Sequence, residues 1–148
     1  MTPAERIEAL RSGADQKLIM RLKSGFLTLS EYQFLPGYCL LLADPIVGQL
    51  NELDWESRQI FLQDLALVSE AVQAVTNAKR TNLAIYGNVD PFLHAHVWPR
   101  FEDEPPSRAT LPPLMFPEGF RLEEEHKFSM DKHGELMQQL RDYLAERA

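Results

Sequence analysis

The spacing of apolar positions along the chain changes several times, and each change marks a boundary between predicted elements. Thr2 and Pro3 have the form of a helix start, Ile7 and Leu10 give the next segment one apolar side, and Ser12-Gly13 stops it. From Leu18 the pattern becomes alternation, with Leu18, Met20 and Leu22 set against Ile19 and Arg21. Lys23-Ser24-Gly25 supplies turn chemistry, and Phe26 to Leu29 completes a predicted hairpin. A third predicted strand, Tyr38 to about Leu42, follows the break at Pro36-Gly37 and ends at Asp44-Pro45. The longest periodic run lies between Asp54 and Val75. Phe61, Leu65, Val68, Val72 and Val75 recur at spacings of four and three, which is one stripe of a helix facing a core. Asp54 is placed to cap it.

Beyond Asn77-Ala78-Lys79-Arg80 the period returns to that of strands. Thr81 to Tyr86 forms a predicted fourth strand, stopped by Gly87-Asn88, and Asp90-Pro91 opens another extended piece, Phe92 to Trp98, closed by Pro99. Glu102 to Gly119 is rich in proline without a steady period and reads as an irregular excursion over the surface. Ser129 or Asp131 caps a last helix in which Leu136, Leu140 and Leu144 share one side. The expected class is α+β: an antiparallel sheet of about five strands, one long packing helix and a C-terminal helix.

A chain of 148 residues is the size of one domain, and 45% apolar with 25% charged is a globular composition. The net charge of −7, with no basic run, argues against duplex nucleic acid as a partner. It leaves room for a small anion held by local donors. Cys39 is the only cysteine, so no intramolecular disulfide can form, and its apolar neighbours predict a buried side chain rather than a reactive thiol. Met1 to Asp15 has no apolar stretch of a signal peptide, and no segment approaches the roughly 20 apolar residues of a membrane span. A cytoplasmic protein, without membrane association, is expected.

Candidate chemistry concentrates in Phe92-Leu93-His94-Ala95-His96-Val97-Trp98. On a strand Leu93, Ala95 and Val97 share an apolar face suited to the long helix, while Phe92, His94, His96 and Trp98 share the other. Three readings compete for the two imidazoles. They are structural or solvated; they are two ligands of a metal site; or one attacks phosphorus while its neighbour steadies the developing charge. The metal reading needs a further ligand, yet Cys39 lies in an apolar run and His126 and His133 stand far along the chain, where both are expected to be exposed. Trp98 and Phe92 either stack on a ligand or close a core.

The segment Gly87 to Arg100, with His94-Ala95-His96-Val97-Trp98 followed by Pro99-Arg100, resembles the signature of the histidine-triad family, His-φ-His-φ-His-φ-φ with Pro-Arg behind it. The order of elements resembles that family from Leu18 to Arg100, and the long extension 101–148 resembles the fragile-histidine-triad and diadenosine-polyphosphate hydrolase branch. The resemblance implies a single histidine-triad domain over 1–148, with its core at 18–100. It implies that His94 is the nucleophile, forming a nucleotidyl-imidazole, and that His96 contacts the phosphate. No cofactor and no metal are implied. Asn88 falls near a phosphate-contacting amide, Trp98 is a candidate ligand contact, and Ser30 stands six positions before Pro36, where the family holds ribose hydroxyls. The partners implied are a nucleotide substrate and a second copy of the chain, joined through the long helix and the neighbouring strand.

Three positions depart from that pattern, Ser30 among them, since the family usually carries an acidic or amide residue there. Phe92 replaces the first histidine, and Tyr38 replaces the histidine of Pro-Gly-His. The reading is therefore a nucleotide hydrolase or nucleotidyl transferase acting on dinucleoside polyphosphates or nucleoside phosphoramidates. The alternatives are a nucleotide-binding protein with little or no catalysis, and a metal-binding protein using His94 and His96.

Overall fold

The computed structural model describes residues 1–148. The first helix, α1 (Pro3–Arg11), starts in a capping box: the Glu5 N–H donates to Thr2 Oγ1 and the Thr2 N–H donates to Glu5 Oε1. Strands β1 (Leu18–Arg21) and β2 (Gly25–Leu29) form the expected hairpin. Its turn is pinned to the long helix by Asp64, which accepts from both the backbone N–H and the hydroxyl of Ser24. Strand β3 (Cys39–Ala43) pairs with β2. The long helix α2 (Trp55–Thr76) is capped by Asp54, whose carboxylate accepts the Ser57 N–H, and it ends at Asn77 in the left-handed conformation.

Strands β4 (Arg80–Ile85) and β5 (His94–Arg100) complete an antiparallel sheet of order β1-β2-β3-β5-β4. The fold is α+β, as the patterning predicts. Strand β5 starts two residues later than expected and does not stop at Pro99. Pro99 is accommodated because β3 pairs with β5 only as far as Val97, so from Trp98 onward the strand has β4 alone as a neighbour. Gly37 adjoins this end of the sheet at φ +113°. A Cβ there would stand 2.7 Å from Thr76 Cγ2 and 3.2 Å from Pro99 Cγ, so only glycine allows α2, β5 and the entry to β3 to meet.

One face of the sheet packs on α2 and on the last helix of the chain, Met130–Ala145. Phe61, Leu65, Val68 and Val72 meet Leu93, Ala95 and Val97, with Leu140 and Leu144 alongside. Each such side chain contributes about 1.5–3 kcal/mol by leaving water. The other face is covered too. Ile7 and Leu10 of α1, with Phe34, Leu35 and Phe116, pack on Phe26, Leu40, Leu42, Phe92 and Trp98. That explains why every residue of β2 and β3 is buried, in place of the alternation of a one-sided sheet. Cys39 is buried as expected, and its surroundings push its thiol well above the ordinary range.

The stretch Glu102 to Gly119 is more ordered than its composition suggests. It contains the one-turn helix α3 (Pro106–Ala109) and a 3₁₀ turn at Pro113–Met115, and the one-turn helix α4 (Glu118–Arg121) runs on from it. Buried Arg100 organises it. Its guanidinium donates to Glu104, to Asn82 Oδ1 and to the carbonyls of Arg108, Ala109 and Leu111. Proline removes backbone donors here, and one arginine supplies the donors that satisfy the free carbonyls.

Helix α5 (Met130–Ala145) is capped by Ser129 and buries Leu140 and Leu144. His133 and His126 depart from expectation. His133 is buried, stacks on Phe128 and accepts the Ser129 N–H, while His126 is largely enclosed and donates from Nδ1 to the Phe120 carbonyl. Both imidazoles fill the joints of the extension, a use that a charged local sequence conceals. No helix is long and apolar enough to cross a membrane.

Candidate functional site

The strand register places His94 and His96 side by side on the face of β5 away from α2. Their ring centroids are 5.1 Å apart, and they belong to a continuous column of rings. Phe92 lies 4.8 Å from His94, and Trp98 stacks on His96 at 4.9 Å with 7° between the planes. Phe92 precedes the regular strand but keeps its place in this column, because the chain from Asp90 to Leu93 is tied down by backbone hydrogen bonds from Phe92 to Asp90 and from Leu93 to Val47.

The two imidazoles are held differently. His94 Nδ1 lies 2.8 Å from the Phe92 carbonyl oxygen. A carbonyl only accepts, so Nδ1 carries the proton and Nε2 keeps its lone pair. His96 Nδ1 lies 2.7 Å from the hydroxyl of Tyr38. Burial pushes the Tyr38 phenol above its ordinary range, so its O–H is retained and can donate to His96 Nδ1, just as its oxygen can accept from an Nδ1–H. When Tyr38 donates, the His96 proton stands on Nε2. The pair then presents one lone pair and one N–H from equivalent ring positions. Burial, with the positive charges of a protonated His94 and of Arg6 adding to it, lowers the His96 pKa from 6.5 to about 4, so this ring is neutral near neutral pH.

Both histidines open on a pocket of about 390 Å³ whose walls are Tyr86, Gly87, Asn88, Val89, Asp90 and Leu114. That volume is in the range that holds a small-molecule ligand. Asn88 is exposed on the wall of this pocket, so its carboxamide is free to meet a ligand. Leu114, from the extension, closes the far side.

Ser30 and Trp98 fall elsewhere. Ser30 is buried beside the Tyr38 hydroxyl and does not line the pocket, since the loop after β2 is roofed by the extension through a Tyr32–Lys127 bridge and a Gln33-to-His126 backbone bond. Trp98 is 1% exposed and backs His96, and its indole N–H has no hydrogen-bond partner. It borders a second, larger pocket of about 640 Å³ between β4 and Ala109–Pro113, which contains no histidine.

Sequence reasoning missed Tyr38, Tyr86 and Arg6. In the sequence Tyr38 stands out only by its departure from Pro-Gly-His, and that position is the one signal that could point to its contact with His96. As for metal, the three side chains that converge as ligands are Glu123, Glu125 and His126, far from this site. His94 and His96 gather no third ligand, so the donor set gives a metal centre at this pair no support.

No protein-family model matches the sequence, and no curated protein matches it either. Solved structures do. A crystal structure of a histidine triad (HIT) protein from Sinorhizobium meliloti 1021 is similar at a TM-score of 0.74 and 19% identity, over 90% of this chain and 93% of that one. A histidine triad protein from Marinobacter aquaeolei VT8 gives 0.69 and 20%, over 97% and 96%. The diadenosine triphosphate hydrolase of Plasmodium falciparum, in complex with Cyclomarin A, gives 0.58 and 17%, over 90% and 80%. At these identities the likeness establishes the fold.

Proposed function

We propose, taking as premise the histidine-triad fold that this chain adopts, that it is a nucleotide hydrolase or nucleotidyl transferase with His94 as its nucleophile. The observation that carries the reading is the opposed state of the two imidazoles. The Phe92 carbonyl accepts from His94 Nδ1, which leaves the lone pair of the neutral ring on Nε2, and in this reading Tyr38 donates to His96 Nδ1, which puts that ring's proton on Nε2. The lone pair attacks the α-phosphorus of a dinucleoside polyphosphate or a nucleoside phosphoramidate. A P–N bond forms, and the bond to the leaving group breaks with its electron pair going to that group. The His96 N–H stabilises a phosphoryl oxygen as charge builds on it, and Asn88 adds a carboxamide donor from the pocket wall. Water, or another acceptor, then attacks phosphorus, the P–N bond breaks, and the lone pair returns to Nε2.

Acid-free mass spectrometry after rapid mixing with diadenosine triphosphate tests this. A nucleotidyl adduct on His94 is the expected species. Turnover with no adduct, and equal in His94→Asn, would remove His94 from the reaction.

The rival reading, a nucleotide-binding protein with little or no catalysis, draws on Phe92, which offers no hydrogen bond, and on Ser30, which is turned away from the pocket. Tight AMP binding with no single-turnover product would select it.

A homodimer is part of the same proposal. Strand β4 is an edge of the sheet; its Leu83 and Ile85, opposite Val97 and Ala95 on the α2 face, are 46% and 36% exposed, and Leu62 of α2 is 43% exposed. An apolar, unpaired edge of this kind favours a second copy that continues the sheet. Light scattering should give twice the chain mass, and Leu83→Glu should return it to one chain.

A further inference from the structure

The pocket poses an electrostatic question that its walls do not answer. A phosphoryl group brings negative charge, and the one fully charged side chain among the walls is Asp90, which has the wrong sign. His96 is held neutral, and an attacking His94 must be neutral as well. The compensating charge has to come from outside the walls.

Arg6 of α1 supplies it. Its guanidinium lies over the Phe92 ring, 6.0 Å from the centroid, and Phe92 in turn lies against His94. Its positive charge is felt at Tyr38 and at His96, where it opposes protonation more strongly than Asp90 favours it. Arg11 and Arg21 share Asp44, Arg100 has Glu104, and Arg121, whose charge is also felt at Tyr38, donates to the Phe116 carbonyl. Arg6 is half-buried, and its guanidinium has no ion pair and no hydrogen bond. At 6.0 Å its contact with Phe92 stands at the outer limit of a cation–π interaction, so the guanidinium keeps its donors free and can turn toward an anion.

We propose that Arg6 is a substrate-binding residue of this site, which neutralises a phosphate beside the one attacked by His94 and so directs the site to polyphosphate esters. Phe92 is then a platform that holds a cation at the end of the histidine column, where the strand offers no hydrogen-bonding side chain of its own. The proposal rests on the nucleotide reading of the site, and its test separates the two.

Binding of inorganic pyrophosphate and of AMP is measured by calorimetry for the wild type, Arg6→Gln and Arg6→Lys. Loss of a charge-assisted contact should weaken pyrophosphate binding about tenfold or more in Arg6→Gln, with Arg6→Lys retaining part of it and AMP affected less. On turnover, kcat/KM for diadenosine triphosphate should fall more than kcat/KM for adenosine phosphoramidate. In an NMR titration the His96 pKa should rise in Arg6→Gln and stay near its wild-type value in Arg6→Lys, an effect that a merely structural role would not produce. Equal pyrophosphate affinity in wild type and Arg6→Gln overturns the role of Arg6 and leaves the nucleotide reading standing. A wild type that binds neither probe and turns over neither substrate overturns both.

Discussion

The two faces of strand β5 carry side chains at the same two-residue spacing and put them to opposite use. Toward α2, Leu93, Ala95 and Val97 are at most 1% exposed and meet only apolar neighbours. Away from it, Phe92, His94, His96 and Trp98 form a column of rings in which each imidazole has one nitrogen tied and the other facing a pocket. The first face draws its stability from area alone, so its residues are interchangeable within limits of volume. The second depends on two hydrogen bonds with defined donors, so its residues are not. A substitution on one face should therefore leave the other's readout untouched.

The sharpest break is on the histidine face. His94→Asn removes the lone pair, and turnover of diadenosine triphosphate should drop by about a thousandfold or more while the melting temperature changes little. The mirror experiment is on the helix face. Phe61, fully buried in the α2 layer, should cost about 3–5 kcal/mol when replaced by alanine, read from the denaturant midpoint. Turnover per folded molecule should be unchanged. Loss of activity in Phe61→Ala in step with its stability at saturating substrate would show that the faces are coupled after all.

The helix face was also the more legible in the sequence. The stripe of Phe61, Leu65, Val68 and Val72 predicts both the element and its buried side, because period alone decides which residues face a core. On the other face the alternation located His94 and His96 correctly, but their partners come from distant segments. Tyr38 reaches His96 across 58 residues of sequence, and Arg6 approaches from a helix whose apolar pattern says only that Ile7 and Leu10 are buried. Periodicity reports which side a residue faces, not what it meets there. The same gap explains Ser30, whose spacing from Pro36 suggested a ligand contact while the roof built by residues 126–128 took it out of reach. It explains Arg100 as well, which a signature motif names and the fold employs to hold the extension.

Tyr38→Phe sharpens the comparison at a single atom. The change keeps the ring that packs on Phe34 and Trp98, and removes the hydroxyl that sets the His96 tautomer. Without it the Nδ1 atom of a half-buried imidazole loses its partner, at a cost of about 1–3 kcal/mol. The ring is then free to carry its proton on either nitrogen. The expected result is a fall in kcat/KM of about tenfold, the equivalent of about 1.4 kcal/mol of lost phosphate stabilisation. An unchanged kcat/KM would mean that the His96 proton is not set by Tyr38.

The pH dependence of stability reads the same face without substrate, and its sign follows from the depressed His96 pKa. Above 6.5, the ordinary histidine value, His96 is uncharged in both the folded and the unfolded chain. Between 6.5 and about 4 the unfolded chain takes up a proton there that the folded chain refuses, so stability falls as pH falls through this window. Below about 4 the loss is complete. Burial lowers the His133 pKa too and acts in the same direction, so the comparison must be with His96→Gln, in which His133 is retained. Urea midpoints across the window should decline less steeply in His96→Gln than in the wild type, because only the wild type still excludes a proton from the histidine face. Parallel declines in the two proteins would assign the acid sensitivity to the helix-side imidazole and leave His96 as basic as it is in the unfolded chain.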